Sequence, residues 1–323
     1  MYSSLYFRAI IKGSGLSKLS SVWQFLKPTS FSNISFISIR YNIENQLEGY
    51  SLDHKTILIT GCSTGIGFQT AIYLKQQGYK VFPTARKEKD VTMLQELGFD
   101  AFLLDVTKKE TIQNTLEAIL NKTNGTLDVV FNNAGFGQPG ALEDVTTQIL
   151  KEQFETNVFG LHEVTSQILP IMKKQGYGKI IQHSSVLGII SLKLRGAYNA
   201  SKYAIEGLTD TLRLELQDTK IQITVLNTGP VTSDFRKNAI IKTKENIDID
   251  NSRFKELYYK NLAANKSEVP FNLPAIAVAK KVERIILTEN IKPRYYITKA
   301  TYILGFAKRI LSTKLLDRVL TKI

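Results

Sequence analysis

Thr56-Ile-Leu-Ile-Thr-Gly-Cys-Ser-Thr-Gly-Ile-Gly67 is the stretch that decides the fold. Its first five residues, TILIT, form a short β-rich run that stops at a glycine, the pattern of a buried strand. TGCSTGIG, Thr60 to Gly67, then runs into an amphipathic helical pattern with Ile66, Ala71, Ile72 and Leu74 on its apolar side. Strand, glycine turn and helix in that order make a phosphate cradle, because the first turn of a helix offers unpaired N–H groups and a positive dipole. Gly61 permits the tight turn, Gly65 and Gly67 let backbone approach a pyrophosphate, and Ser63, Thr64 and Ile66 complete the expected dinucleotide-binding loop.

Six more β-rich runs follow: Lys80–Ala85, Phe99–Asp105, Leu127–Asn133, Gly178–Ser185, Ile221–Asn227 and Arg294–Thr298. Helical patterns of ten residues or more separate them, long enough for right-handed crossovers between parallel strands. The expected fold is α/β: a Rossmann-like doubly wound parallel sheet of about seven strands in a three-layer αβα sandwich. Residues 46–290 form this domain, after a leader at 1–45 and before a last strand and an amphipathic helix at 291–323. Residues 233–274 interrupt the rhythm. They are polar, charged and helical in pieces, and they follow the sixth strand on the side where such folds bind ligands, so they read as a substrate lid or as a long connection.

The second strand ends Pro83-Thr84-Ala85-Arg86-Lys87. A free ribose 2′-hydroxyl calls for an acid here. Two cations stand instead, and Arg86 with Lys87 would pair a 2′-phosphate, so NADP is favoured over NAD. Asp105 could accept from the adenine amino group, with Val106 beside it.

Tyr198 and Lys202 lie four residues apart in YNASK, and Ser185 lies thirteen before the tyrosine. Four residues is about one helical turn, which puts phenol and ammonium on one face. A free tyrosine titrates near pKa ~10. A neighbouring cation favours phenolate and draws the group toward the range where acid–base catalysis is efficient.

Together these segments resemble the short-chain dehydrogenase/reductase family from residue 55 onward. TGCSTGIG is similar to its glycine motif, Asn132-Asn133-Ala134-Gly135 to its NNAG motif, Asn157-Val158-Phe159-Gly160 to its asparagine helix, Ser184-Ser185 to its serine strand, and Tyr198 to Lys202 to its YxxxK. The resemblance implies a tetrad. Tyr198 exchanges a proton with the substrate oxygen and Ser185 hydrogen-bonds that oxygen. Lys202 binds the nicotinamide ribose and lowers the tyrosine pKa, and Asn157 holds a relay water. It further implies that Asn133, Ala134 and Gly135 line the cofactor and that Thr228-Gly229-Pro230 stands beside the nicotinamide, with Thr228 where proline is usual. Pro230, Val231 and Ser233 are the next implied cofactor contacts. The runs SSVLGIIS and RGAYNASKYAIEGLTDTLRLEL look like bacterial NADP-dependent aldehyde reductases of the family, and retinol and hydroxysteroid dehydrogenases share much of the pattern. A dimer or tetramer through the helices carrying Asn157 and Tyr198 is implied as well.

Composition narrows the remaining classes. One cysteine, Cys62, excludes an intramolecular disulfide, and His54, His162 and His183 have no metal-ligand spacing, so no metal is expected. Of the net charge of +13, five units sit in residues 1–43 and six in residues 294–323, leaving +2 between, which argues against nucleic acid as a partner. Residues 1–43 hold five basic residues, no acid and many serines. That composition suits a mitochondrial presequence, or a tail or misassigned start in a cytoplasmic protein. No run approaches the ~20 apolar residues that cross a bilayer. Ile303, Phe306, Ala307, Ile310 and Leu311, then Leu316, Val319, Leu320 and Ile323, recur at helical spacing among cations. They read as a helix packed over the substrate mouth or as an interfacial helix on anionic lipid. Phe136, Leu187 and Leu192 suggest an apolar pocket. Three functions fit: an NADPH-dependent aldehyde or ketone reductase, an oxidative retinol, hydroxysteroid or lipid alcohol dehydrogenase, and a non-catalytic NADP sensor.

Overall fold

The protein is described by a computed structural model over residues 55–263 and 270–322. The leader, and with it the presequence expectation, lies outside the described residues. Strands β1 (Thr56–Ile59), β2 (Lys80–Ala85), β3 (Phe102–Leu103), β4 (Val129–Asn132), β5 (Gly178–Ser185), β6 (Ile221–Thr228) and β9 (Arg294–Tyr296) make one parallel sheet in the order β3-β2-β1-β4-β5-β6-β9. Between β6 and β9, β7 (Val231–Thr232) and β8 (Leu273–Pro274) form a separate parallel pair that the sequence reading did not contain.

Both faces of the sheet are covered. On β1, Ile57 and Ile59 pack toward α1 (Gly65–Gln76) and the late helix Ile276–Leu287, with Ala71, Leu74, Val278, Val282 and Ile286. Leu58 points the other way and joins Phe82 of β2 with Ile112, Leu116, Val164 and Ile168 from helices α3 (Lys109–Lys122) and α5 (Leu161–Gln175), which follow α2 (Glu88–Glu96) and α4 (Thr147–Phe154) in the chain. Alternation within one fully buried strand is what a sheet sandwiched between two helical layers requires.

The strand order reverses between β1 and β4, so the loops that follow these two strands diverge and leave a crevice at their carboxyl ends. β5 and β6 pair over their whole length, from Gly178↔Ile221 to Ser185↔Thr228, and end side by side at the same edge. α6 (Gly196–Glu215) starts over that edge, positioned by the bridge of Arg195 with Gly140 and by Gly140 N–H donating to Leu194 O at 2.9 Å.

Residues 233–274 contain α7 (Phe235–Asn246) and α8 (Lys255–Ala263) before β8. After α9 (Ile276–Leu287) and β9, the expected single C-terminal helix is two: α10 (Lys299–Ile310) and α11 (Thr313–Leu320). The break falls at Ser312, whose hydroxyl caps α11 by accepting from Leu315 N at 3.4 Å. Thr298 caps α10 in the same way. Its hydroxyl occupies the space a Cβ on Gly229 would need, which pins the start of α10 to the β6–β7 turn. The inner faces of α10 and α11 bring Leu304 and Leu320 against the cluster of Val186, Leu187 and Ile190, on which Tyr198 also packs. Their outer faces leave Tyr302, Ile303, Phe306, Ile310, Leu315 and Val319 exposed.

Candidate active site

The glycine loop is built by backbone contact. Gly61 has φ +72° and its Cβ would stand 2.8 Å from Ala134 Cα; Gly65 has φ +63°. A Cβ on Gly67 would fall 2.4 Å from Gly61 O and 2.5 Å from Asn133 Nδ2, so close packing of α1 on the loop excludes a side chain there. Thr64, the N-cap of α1, makes no capping bond with its side chain, and no acid occupies the first turn. That end of α1 therefore fits a pyrophosphate. Cys62 is a buried small residue, its thiol donating to Ile59 O at 3.3 Å and pushed up to about 12 by burial.

The loop after β4 is bonded to the glycine loop. Thr60 Oγ1 accepts from Asn133 N and Ala134 N, both at 3.0 Å, and Asn133 Nδ2 donates to Thr60 O at 2.9 Å and Gly61 O at 3.0 Å. Arg86 and Lys87 are exposed at the end of β2. Asp105 uses Oδ1 to hold Thr107 N and Oγ1 at 3.0 and 2.8 Å. Val106 is buried against Gly160. Ser233 lies over Gly65, and Val231 forms β7 just after Pro230, so these residues close the same crevice from the β6 side.

Asn157 sits in a π turn, Glu155–Gly160, between α4 and α5. It is fully buried, while Phe159 two residues on is 55% exposed. Its side chain accepts from Phe136 N at 3.1 Å and donates to Phe136 O at 3.0 Å and Ser201 Oγ at 3.2 Å. The amide is thus spent on clamping the loop after Gly135 to α6.

Tyr198, Lys202, Glu206 and Asp210 form one stripe of α6 at four-residue intervals. The Ser185 hydroxyl lies beside the Tyr198 phenol, close enough to act on its titration, and accepts from Leu187 N at 3.1 Å. Ser184 instead lies against Glu206, which separates the roles of the two serines. Lys202 Nζ donates to His183 O at 2.7 Å and lies 5.6 Å from the centre of the Tyr198 ring. Glu206 accepts from Asn227 Nδ2 at 2.6 Å and Arg294 Nε at 3.0 Å, and Arg294 also pairs with Asp210. Phe235 packs on Tyr198 with ring centroids 5.4 Å apart.

One expected effect has the opposite net sign. Burial pushes the Tyr198 phenol above its ordinary value, and the groups that pull it back are the Ser185 hydroxyl and the Arg195 guanidinium. Burial likewise pushes the Lys202 ammonium down to about 8, against the opposing pull of Glu206. For both groups desolvation outweighs the neighbours that oppose it, Ser185 and Arg195 for the phenol and Glu206 for the ammonium.

Two participants escaped the sequence reading. His183 Nδ1 faces Asn133 Oδ1 at 3.0 Å, and Nε2 faces Thr228 Oγ1 at 3.2 Å. Because Asn133 Nδ2 is committed to carbonyls, its Oδ1 can only accept, so His183 carries its proton on Nδ1 and Nε2 is left as an acceptor, sharing the one hydroxyl proton of Thr228 with Ser184 O at 3.3 Å. Burial and the nearby Lys202 charge push the imidazole down to about 3. The hydroxyl of Thr228 is what a proline would lack, and it ties the β6 end to the glycine loop through this ring. Strand alternation was the available signal, since His183 stands two residues from Ser185 and shares its face. Arg195 is the second, placed beside Tyr198 by the turn before α6.

Residues 55–244 match the family described as short chain dehydrogenase. An uncharacterized oxidoreductase of Escherichia coli, YbbO, is 36% identical over 266 residues, which span 82% of this chain and 94% of that protein. Bovine retinol dehydrogenase 8 is 32% identical over 242 residues, 69% of this chain and 77% of its own length. Among solved structures, ElxO with NADP bound superposes with a TM-score of 0.62 at 26% identity, covering 76% of this chain and 97% of that one.

Proposed function

Because the chain belongs to the short-chain dehydrogenase family, matched over residues 55–244, we propose that it uses NADP(H) to reduce the carbonyl of an apolar aldehyde or ketone. The observation that carries this reading is the meeting of Ser185, Tyr198 and Lys202 at the carboxyl edge of the sheet, beside a glycine loop fitted to phosphate. The bound dinucleotide would supply a hydride to the carbonyl carbon. Gly61 to Gly67, Asp105, Val106, Asn133, Ala134, Gly135, Lys202, Pro230, Val231 and Ser233 would hold it, with Arg86 and Lys87 on the 2′-phosphate. ElxO, bound to NADP, supports that cofactor choice.

The chain's own residues handle the proton. Tyr198 is held protonated by burial, as a donor to a carbonyl oxygen must be. The Ser185 hydroxyl donates to the same oxygen, so charge growing on it meets two donors. Lys202 is fixed by His183 O and kept cationic near neutrality by Glu206, which Arg294 and Asn227 in turn hold. An apolar substrate suits a mouth walled by Leu187, Leu192, Leu304, Leu320 and Phe235.

Two partners belong to the same proposal. Val158, Phe159, His162, Ala204 and Leu208 line a shallow apolar depression between the Asn157 turn and α6, and a second copy of the chain would cover it. The exposed apolar outer face of α10 and α11 carries Lys308, Arg309, Lys314 and Arg318 around it, which suits an anionic bilayer surface. Among the described residues no helix is long and apolar enough to cross a membrane.

Oxidation of NADPH and NADH by the purified chain, against medium-chain aldehydes, retinal and ketosteroids, tests the reading. NADPH turnover with at least one class is expected. Tight NADPH binding with no turnover across the panel would overturn it in favour of a sensor, and faster retinol or steroid oxidation than carbonyl reduction would favour the oxidative direction.

A further inference from the structure

Two groups of helices close over the catalytic phenol, and they are fastened differently. α7 and α8, expected as a lid, are pinned at their far side by polar bonds. The buried Tyr258 of α8 accepts from Ala141 N at 2.7 Å and donates to Asp144 at 2.8 Å, and Asn246 of α7 donates to Gln138 Oε1 at 2.7 Å. Arg253, in the turn between the two helices, pairs with Glu143 at 2.7 Å, and the β7–β8 pairing ties the base of the whole segment. Opening the site on this side would strip several buried polar groups of their partners at once.

α11 is fastened by leucines. Leu316 is buried, and Leu320 packs on the cluster of Val186, Leu187 and Ile190 that Tyr198 also touches. The side-chain hydrogen bonds of this helix are local: Ser312 Oγ accepts from Leu315 N at 3.4 Å, and Thr321 Oγ1 donates to Arg318 O at 3.2 Å. Leu311 and Ser312, between α10 and α11, are both extended, with ψ 141° and 154°, and form a two-residue joint about which α11 turns as a body. α10 stays behind, its Gly305 packed on the Tyr296 ring of β9. A short terminal helix held by apolar contact through such a joint belongs to the part of a fold that opens most readily. The outward sides of the same two helices are apolar as well, with Tyr302, Ile303, Phe306 and Ile310 exposed on α10 and Leu315 and Val319 on α11. Lys299, Lys308, Arg309, Lys314, Arg318 and Lys322 accompany them, against the single acid Asp317. Apolar groups among cations match the boundary between acyl chains and anionic headgroups. Two copies of this face would instead set cation against cation.

We infer that α11 is the gate to the reacting phenol, that an anionic bilayer opens it by taking up the outer faces of α10 and α11, and that the substrate is a long-chain aldehyde or ketone entering from that bilayer. The inference rests on the NADP(H) oxidoreductase reading for what lies behind the gate. In water, Leu316 and Leu320 are out of solvent only while α11 stays down on the protein. At a membrane the same leucines meet acyl chains when the helix lifts, so opening no longer exposes them to water. The bilayer thus interacts more favourably with the open state than with the closed one, which is what a ligand needs in order to shift the balance between them. A cover on the substrate mouth and a helix on lipid are then one element in two positions, and the site opens where an apolar substrate is dissolved.

The test uses the full-length chain with NADPH and butanal, which reaches the site from water whether or not lipid is present. Vesicles of phosphatidylcholine with phosphatidylglycerol should raise kcat/KM for butanal at least about fivefold, and vesicles of phosphatidylcholine alone should not. Leu315→Ser with Val319→Ser, and separately Lys314→Glu with Arg318→Glu, should lose the rise and keep the lipid-free rate. Leu316→Ser, which loosens the inner face, should bring the lipid-free rate toward the stimulated one. Hexadecanal should be reduced faster from anionic than from neutral vesicles. A butanal rate unmoved by anionic vesicles with which the chain sediments would overturn the gate and leave the reductase reading standing. A rise that survives both outer-face pairs would place the contact on another segment and overturn it too, as would a vesicle-insensitive chain whose dimerisation those pairs abolish. If butanal is not turned over under any condition, hydrogen–deuterium exchange with NADP⁺ bound decides. Faster exchange at residues 186–190 on anionic vesicles alone supports the gate without the reductase, and unchanged exchange overturns it.

Discussion

The two ends of the site are built to different tolerances. At the glycine loop, added atoms would meet backbone: a Cβ on Gly61 would stand 2.8 Å from Ala134 Cα, and one on Gly67 would stand 2.4 Å from Gly61 O. Backbone held by strand pairing cannot give way. At the other end α7, α8, α10 and α11 approach through side chains such as Phe235, Tyr258, Leu304 and Leu320, which can change rotamer or be exchanged for others. A cofactor common to many enzymes can be met by fixed main chain, whereas a particular substrate has to be met by replaceable side chains.

The largest expected effect lies where the two ends meet. Tyr198→Phe removes the proton donor and should lower kcat about 10³-fold while NADPH affinity, measured by fluorescence titration, stays within about twofold. A fall of less than about tenfold would remove the tyrosine from the chemistry. Gly67→Ala should destabilise the chain by about 1–3 kcal/mol in urea unfolding, the range for forced overpacking. Phe235→Leu, at the tolerant end, should cost less than about 1.5 kcal/mol and act mainly on KM. Comparable losses at both positions would erase the contrast between the two ends. Arg86→Ala should weaken NADPH about tenfold to a hundredfold, the worth of one or two charge-assisted bonds, with NADH nearly unaffected.

His183 links the two ends, and pH is its readout. The free side chain takes up a proton near pH 6.5 and the folded one only near 3. Between those values the unfolded state binds more protons, so stability should fall as pH drops through that window. His183→Thr should flatten this slope in thermal melts between pH 6.5 and 4.5, whatever it does to absolute stability. The smallest effect is expected on the outer face of α10. Ile303→Ser with Phe306→Ser should change stability by less than about 0.5 kcal/mol and leave turnover of a water-soluble substrate intact, yet abolish sedimentation with anionic vesicles.

The same contrast explains what could be read in advance. Strand–turn–helix at Thr56–Gly67, the parallel strands and the one-turn spacing of Tyr198 and Lys202 are local patterns, and local patterns survive in a sequence. Two-residue strands such as β7 and β8 bury too little to leave a pattern of their own. The net push on Tyr198 escaped for another reason: spacing reveals the neighbouring cation but not how much water burial removes from both groups. The division of the C-terminal segment turned on one serine, Ser312, inside an otherwise unbroken apolar rhythm.

The π turn at Glu155–Gly160 acts as a phase slip. Each residue of an α-helix advances by about 100°, so one residue of slack resets which sides of α4 and α5 face inward. Asn157 is buried completely and Phe159, two residues on and about 200° round the axis, is turned out to solvent. Deleting a single residue here would leave both helices capable of forming, yet rotate one against the other by nearly a third of a circle. The Phe136 clamp and the outward apolar face would be lost together, so two apparently independent surfaces share one geometric setting and cannot drift apart one substitution at a time.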